Sequence, residues 1–283
     1  MNKVIKRLLV FFIGVPLVIA VVSLSFYKHI VLNILAVVAS GIAAHEFFEM
    51  TKLKFKLFPK ALIIIFTSTL PLLTYFCVLF SIDFSYLIWL LVFEIFIFMG
   101  AESIFSKDFE DSAVKISITT LIIFYCGYML TFITRMTSIE QNASIFLYLY
   151  FILVFMTDSG AWFFGVLFGK STRGVFKASP NKSIVGFFGG IITAIACGIL
   201  FKFIFPDIFF GSVWKIVIVS FTTALGAIIG DLIESVFKRS FGVKDSGNII
   251  PGRGGLLDCL DSLILGAPIF YIGIHFLYLI LEA

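Results

Sequence analysis

Apolar residues run along this chain in blocks of about twenty, separated by short polar stretches. A helix rises about 1.5 Å per residue, so roughly 20 apolar residues cross the hydrocarbon core of a bilayer. On that criterion the pattern predicts nine spans, over residues 8–27, 30–49, 60–80, 85–104, 114–134, 143–165, 185–205, 213–234 and 262–281. Pro71 falls inside the third; proline is tolerated in membrane helices because neighbours can satisfy the carbonyl it frees. The predicted fold class is an all-α integral membrane protein of about nine transmembrane helices.

The basic residues orient these spans. With the N-terminus in the cytoplasm, seventeen of the 21 Lys and Arg fall on cytoplasmic segments; only Lys28, Arg135, Lys202 and Lys215 fall on the other side. Cytoplasmic loops carry the excess of Lys and Arg, so the split predicts an N-in, C-out topology. The first apolar run follows Lys3, Lys6 and Arg7, as in a signal peptide. No small-residue cleavage site stands out and a second span follows at once, so it reads as a retained helix.

Composition agrees. Only 13% of residues are charged and 60% are hydrophobic, against roughly a quarter charged in soluble domains. The mean hydropathy is +1.12. A net charge of +4 on such a chain gives no reason to expect a nucleic-acid partner; the expected surroundings are a lipid bilayer. The four cysteines are scattered without a CxxC pair, so neither a disulfide framework nor a zinc site is indicated. Glycine changes along the chain: four of the 22 precede residue 160 and sixteen lie between 160 and 255. The expected organisation is therefore a scaffold of bulky spans over 1–141 and a catalytic membrane half over 142–283, with cytoplasmic loops 166–184 and 235–261. Gly165/Gly169 and Gly226/Gly230 are GxxxG pairs, expected at helix packing faces.

Candidate chemistry concentrates in Gly230–Ser262, GDLIESVFKRSFGVKDSGNIIPGRGGLLDCLDS. Asp231 and Glu234 are three apart at the cytoplasmic end of span eight, and Asp258 and Asp261 repeat the spacing where span nine begins. Residues three apart share a helical face. Acids near membrane are costly and face the protein interior or a wet cavity. Clustered carboxylates without His or Cys suit a hard cation, one or two Mg2+ ions, which takes oxygen ligands and keeps room for substrate phosphates. Lys238, Arg239, Lys244 and Arg253 offer charge to phosphate oxygens, and the turn at 251–255, with Gly254 and Gly255, can bring backbone N–H groups near an anion. A second polar island, 157–190, holds Asp158 within span six. It continues through Lys170, Arg173 and Lys177 to Ser179 and Lys182, where a helix N-terminus favours anions. His45, Glu46 and Glu94 read as packing or interfacial residues. A cation transporter would spread acids through the membrane depth; here they gather at one face beside basic residues.

At these residues the chain resembles the phosphatidate cytidylyltransferase (CDP-diacylglycerol synthase) family. Ser235, Lys238, Arg239, Lys244, Asp245, Gly247, Ile250, Pro251, Gly252, Gly254, Gly255, Asp258 and Asp261 follow that family's signature without insertion or deletion. Asp158-Ser-Gly-Ala resembles its D-T-G-A, and Ser179-Pro-Asn-Lys-Ser its S-P-K-K-T. The resemblance covers 157–262. It implies cytidylyl transfer from CTP to phosphatidate, giving CDP-diacylglycerol and pyrophosphate, with Mg2+. Asp231 and Asp258 would be metal-binding carboxylates, with Asp261 supporting them. Lys182, Lys238, Arg239 and Lys244 would contact phosphates, and Asp158 would shape the nucleotide side. It further implies a homodimer and a bacterial inner membrane with the active site facing the cytoplasm. The chain departs from the pattern at Arg253 (His in the signature), Cys259 (Arg), Asn181 (Lys) and Val185 (Glu). These departures leave open a related nucleotidyl- or phosphotransferase acting on another lipid phosphate.

Overall fold

The computed structural model describes the backbone of residues 3–139 and 141–280, with side chains from Phe12 to Leu279 among them. The side chains of Lys3, Lys6 and Arg7, part of the expected basic N-terminus, lie outside the described residues. Every regular element described is helical: α1 (Lys3–Ser23), α2 (Phe26–Thr51), α3 (Lys60–Phe80), α4 (Ser85–Phe105), α5 (Ser112–Ile122), α6 (Thr131–Met136), α7 (Ala143–Leu167), α8 (Ile184–Ile204), α9 (Val213–Phe241) and α10 (Leu257–Ile274). A π-helical turn at Ile123–Tyr128 links α5 to α6, and the two cross as one span, Ser112–Met136. Among the described residues eight helical segments are long and apolar enough to cross a membrane. With α1, they give the expected count of about nine.

Two of these helices outrun their apolar blocks. The α9 helix continues to Phe241, two turns beyond the expected end at 234, so Lys238 and Arg239 ride on helix. The α10 helix begins at Leu257, five residues before the expected 262, and takes Asp258 and Asp261 into its first turns. Hydropathy could not place these ends because both helices run on through charged residues outside the apolar blocks.

Two compact units divide the chain: Met1–Glu140 with Ser240–Cys259, and Gln141–Arg239 with Leu260–Ala283. Most of the loop expected to go with the C-terminal half thus groups with the first unit. In that unit α3 runs unbroken through Pro71. Proline has no N–H for the Thr67 carbonyl four residues back, and Ser40 Oγ of α2 donates to that carbonyl instead, at 3.2 Å. Gly127 lies against the same carbonyl; a Cβ there would stand 2.7 Å from Thr67 O. Phe47, Tyr125 and Phe241 meet edge to face in the core. Trp89, Phe93 and Phe96 of α4 point outward, as lipid contact requires.

The second unit is built on close backbone approach. A Cβ on Gly190 would lie 2.6 Å from Thr157 O, and one on Gly186 2.6 Å from Ala161 O, so α8 packs directly on α7. Gly226 and Gly230 do the same for α9 against α10, where a Cβ would meet Ile269 Cδ1 at 2.5 Å and the Asp261 carbonyl respectively. Tyr150, fully buried, donates its hydroxyl to Leu263 O at 2.6 Å.

Candidate active site

The second unit brings together six of the predicted residues. Asp158 sits midway along α7, and its Oδ1 accepts from Ser262 Oγ at 3.3 Å. Asp231 on α9 pairs with Lys182, Nζ to Oδ2 at 2.5 Å. Lys182 is brought there by the turn preceding α8: the Ser179 N–H bonds Phe176 O at 3.0 Å and the Lys182 N–H bonds Ser179 O at 3.1 Å. Ser183 then caps α8, its Oγ accepting from the Gly186 N–H at 3.0 Å. Arg239 Nε reaches back to Ala178 O in the same turn, at 3.3 Å. Glu234 is fully buried and forms an ion pair with Lys238 one turn on.

Asp261 is buried on α10, and the charges of Asp231, Glu234 and Asp158 all reach it. Four carboxyl groups therefore share one neighbourhood with two pairing lysines. Among the described residues, no three His, Cys, Asp or Glu side chains stand close enough together to hold a metal by themselves. Mg2+ needs only one or two carboxylates and completes its shell with water and substrate phosphate.

The first unit holds the rest of the signature. Gly242, at φ +78, ends α9 in the left-handed conformation. The chain then forms a tight turn in which the Ile250 N–H donates to Gly254 O at 2.8 Å and the Gly254 N–H to Ile250 O at 3.1 Å. Gly254 has φ +111, a conformation side-chain-bearing residues rarely adopt. Asp258 Oδ2 accepts three bonds from this loop: from Ser246 N at 2.8 Å, Ser246 Oγ at 2.9 Å and Gly255 N at 2.8 Å. The backbone N–H groups of Arg253, Gly254 and Gly255, read from sequence as anion donors, are thus engaged with the loop itself. The side chains of Lys244 and Arg253 are exposed.

One buried acid here has no counterpart among the predicted site residues. Glu46 of α2 is 3% exposed. Its Oε2 accepts from Ser246 Oγ at 2.9 Å and Leu257 N at 2.8 Å, and its Oε1 from Leu256 N at 2.9 Å. The only hint in the sequence is an acid at the end of an apolar block, where an acid is costly; nothing in it points to a loop 200 residues away.

The cytidylyltransferase family model matches residues 5–277, nearly the whole chain. The chain belongs to the cytidylyltransferase family. Among curated members, the phosphatidate cytidylyltransferase of Staphylococcus epidermidis is 43% identical over 122 residues, covering 43% of this chain and 46% of that protein. The Haemophilus influenzae protein of the same name is 41% identical over 155 residues, 54% of this chain and 53% of that protein. The Bacillus subtilis one is 33% identical over 157 residues, 56% of this chain and 57% of that protein. The chain spans about half the length of the curated relatives it matches.

Proposed function

We propose that this chain transfers a cytidylyl group from CTP to phosphatidate, releasing pyrophosphate and CDP-diacylglycerol. The observation that carries the reading is the gathering of Asp158, Asp231, Glu234 and Asp261 with Lys182 and Lys238, in a chain of this family whose curated relatives bear that name. A phosphate oxygen of phosphatidate attacks the α-phosphorus of CTP. A new P–O bond forms there, the α–β P–O bond breaks, and pyrophosphate leaves with the electron pair. No side chain needs to act as nucleophile.

The residues then have distinct tasks. Lys182 and Lys238 rest on carboxylates, and substrate phosphates compete for their ammonium groups. Arg239, Lys244 and Arg253 are exposed and add positive charge for the remaining oxygens. Asp231 and Asp261, with Glu234 beside them, would hold Mg2+; Asp258, whose Oδ2 carries three loop bonds, we assign to shaping the loop. When bound, the ion would neutralise charge on the phosphoryl oxygens and the departing pyrophosphate. The excess of basic residues on the predicted cytoplasmic segments supports an inner-membrane protein whose site faces the cytoplasm. The resemblance adds a homodimer, which a detergent-corrected particle mass of about twice 31.6 kDa would bear out.

The test is pyrophosphate release by the purified full chain in detergent with phosphatidate, CTP and Mg2+. Release that needs both lipid and metal, and stops with chelator, supports the reading. Folded protein that is silent with phosphatidate but active with another lipid phosphate would reassign the acceptor.

A further inference from the structure

The strongest unassigned feature is the buried carboxylate of Glu46. It sits on the second helix of the chain, in the stretch read from sequence as scaffold, yet its three hydrogen bonds all go to the signature loop and the start of α10. Two of them take the N–H groups of Leu256 and Leu257. The first N–H groups of a helix have no partner within it, so Glu46 caps α10 from a different helix, and its negative charge complements the helix dipole. The third comes from Ser246 Oγ, which also bonds Asp258 Oδ2. The Glu46 and Asp258 carboxylates thereby share the single proton of one hydroxyl, and Ser246 itself is buried.

Two signature glycines are explained by the same carboxylate. A Cβ on Gly247 would stand 2.7 Å from Glu46 Oε1 and 3.0 Å from its Cδ, and the three nearest atoms all belong to Glu46. A Cβ on Gly255 would run into Ser246 Oγ and the Glu46 carboxylate. Both glycines leave room for Glu46.

We infer that Glu46 is a positioning residue: it locks the loop 246–257 and sets the start of α10, the helix that carries Asp258 and Asp261. Its catalytic consequence rests on the reading proposed above; its effect on the loop does not. The test therefore uses two readouts on the full chain in detergent. The first is alkylation of Cys259, a partly exposed thiol two residues into α10 from Leu257, followed by peptide mass spectrometry. Glu46→Ala is expected to raise its rate roughly tenfold, since losing bonds to a charged group releases a segment they held. The second is turnover: Glu46→Gln, with only one acceptor oxygen, is expected to lose tenfold or more in kcat, and Glu46→Asp, which keeps the carboxylate, to recover part of it.

A double-mutant cycle guards against simple misfolding. Gly247→Ala is expected to destabilise the loop when Glu46 is present and to cost much less in the Glu46→Ala background. Unchanged Cys259 reactivity in Glu46→Ala, or additive effects of Gly247→Ala and Glu46→Ala, would overturn the inference. If the unaltered chain releases no pyrophosphate, the proposed reaction fails, while Cys259 reactivity and the cycle still decide on Glu46.

Discussion

The two compact units use the same residue types to opposite ends. In the first, the carboxylates of Glu46 and Asp258 accept from backbone N–H groups and a buried serine of one loop. Such bonds are short in reach and fixed in direction, and a segment tied through five donor hydrogens has a single shape. In the second, Asp231 and Glu234 are matched by the ammonium groups of Lys182 and Lys238. Those sit on long flexible stems, and a phosphate can draw them away. Acids that hold backbone build a scaffold; acids that face lysines and one another hold charge ready for a ligand. Counting carboxylates in the motif does not separate these roles, whereas the identity of their donors does.

Exchanging acids across the two units is the sharpest way to break this contrast. Asp261→Asn is expected to lose roughly a hundred- to a thousand-fold in turnover, the scale seen when one charge-stabilising group leaves an active site, with no fall in melting temperature, because one of four crowded carboxylates has been neutralised. Asp258→Asn is expected to lower the melting temperature as well, since its triply bonded oxygen secures the loop; hydrogen bonds to charged groups are worth about 1.5–3 kcal/mol. Equal stability of the two variants in a thermal unfolding assay would erase the distinction. Next in size, Lys182→Met removes the partner of Asp231 without touching a helix cap. About a tenfold to hundredfold loss in kcat/KM is expected, with the helical content by circular dichroism intact. A stability loss as large as that of Asp258→Asn would show that the pair is structural.

The smallest effect concerns packing alone. Ser40→Ala strips the Thr67 carbonyl of the donor that stands in for the N–H Pro71 lacks. A cost near 0.6 kcal/mol is expected, the average for side-chain hydrogen bonds within membranes, read by denaturant or thermal unfolding with turnover unchanged. A cost several times larger would mean that the α2–α3 pair depends on this bond as heavily as the loop depends on Glu46.

What could be read from the sequence follows from how local each signal is. Spans are twenty-residue averages of hydropathy, and the structure has them within a few residues, apart from the start of α1, the end of α9 and the start of α10. The start of α10 is capped by Glu46, some two hundred residues away, which no window of sequence contains. Asp158, Lys182, Asp231, Glu234, Lys238 and Asp261 stood out because charged residues are rare in this composition, and the structure gathers them. The GxxxG pair at Gly226 and Gly230 lies at a helix contact whose partner, α10, the pattern did not name. Glu46 reads from sequence as a packing or interfacial residue because its donors, Ser246, Leu256 and Leu257, lie some two hundred residues on.

That separation has a consequence in time. Ribosomes add about 5–20 residues per second, and Glu46 is joined to residues about 200 positions later in the chain. Some 10–40 s therefore pass after Glu46 is made before its partners exist. Throughout that interval α2 must keep an ionisable group at the edge of the membrane with its eventual donors unmade. The first unit can only be completed after α7, α8 and α9 have been synthesised, so assembly of this protein closes backward, with one of its earliest helices waiting for one of its last loops.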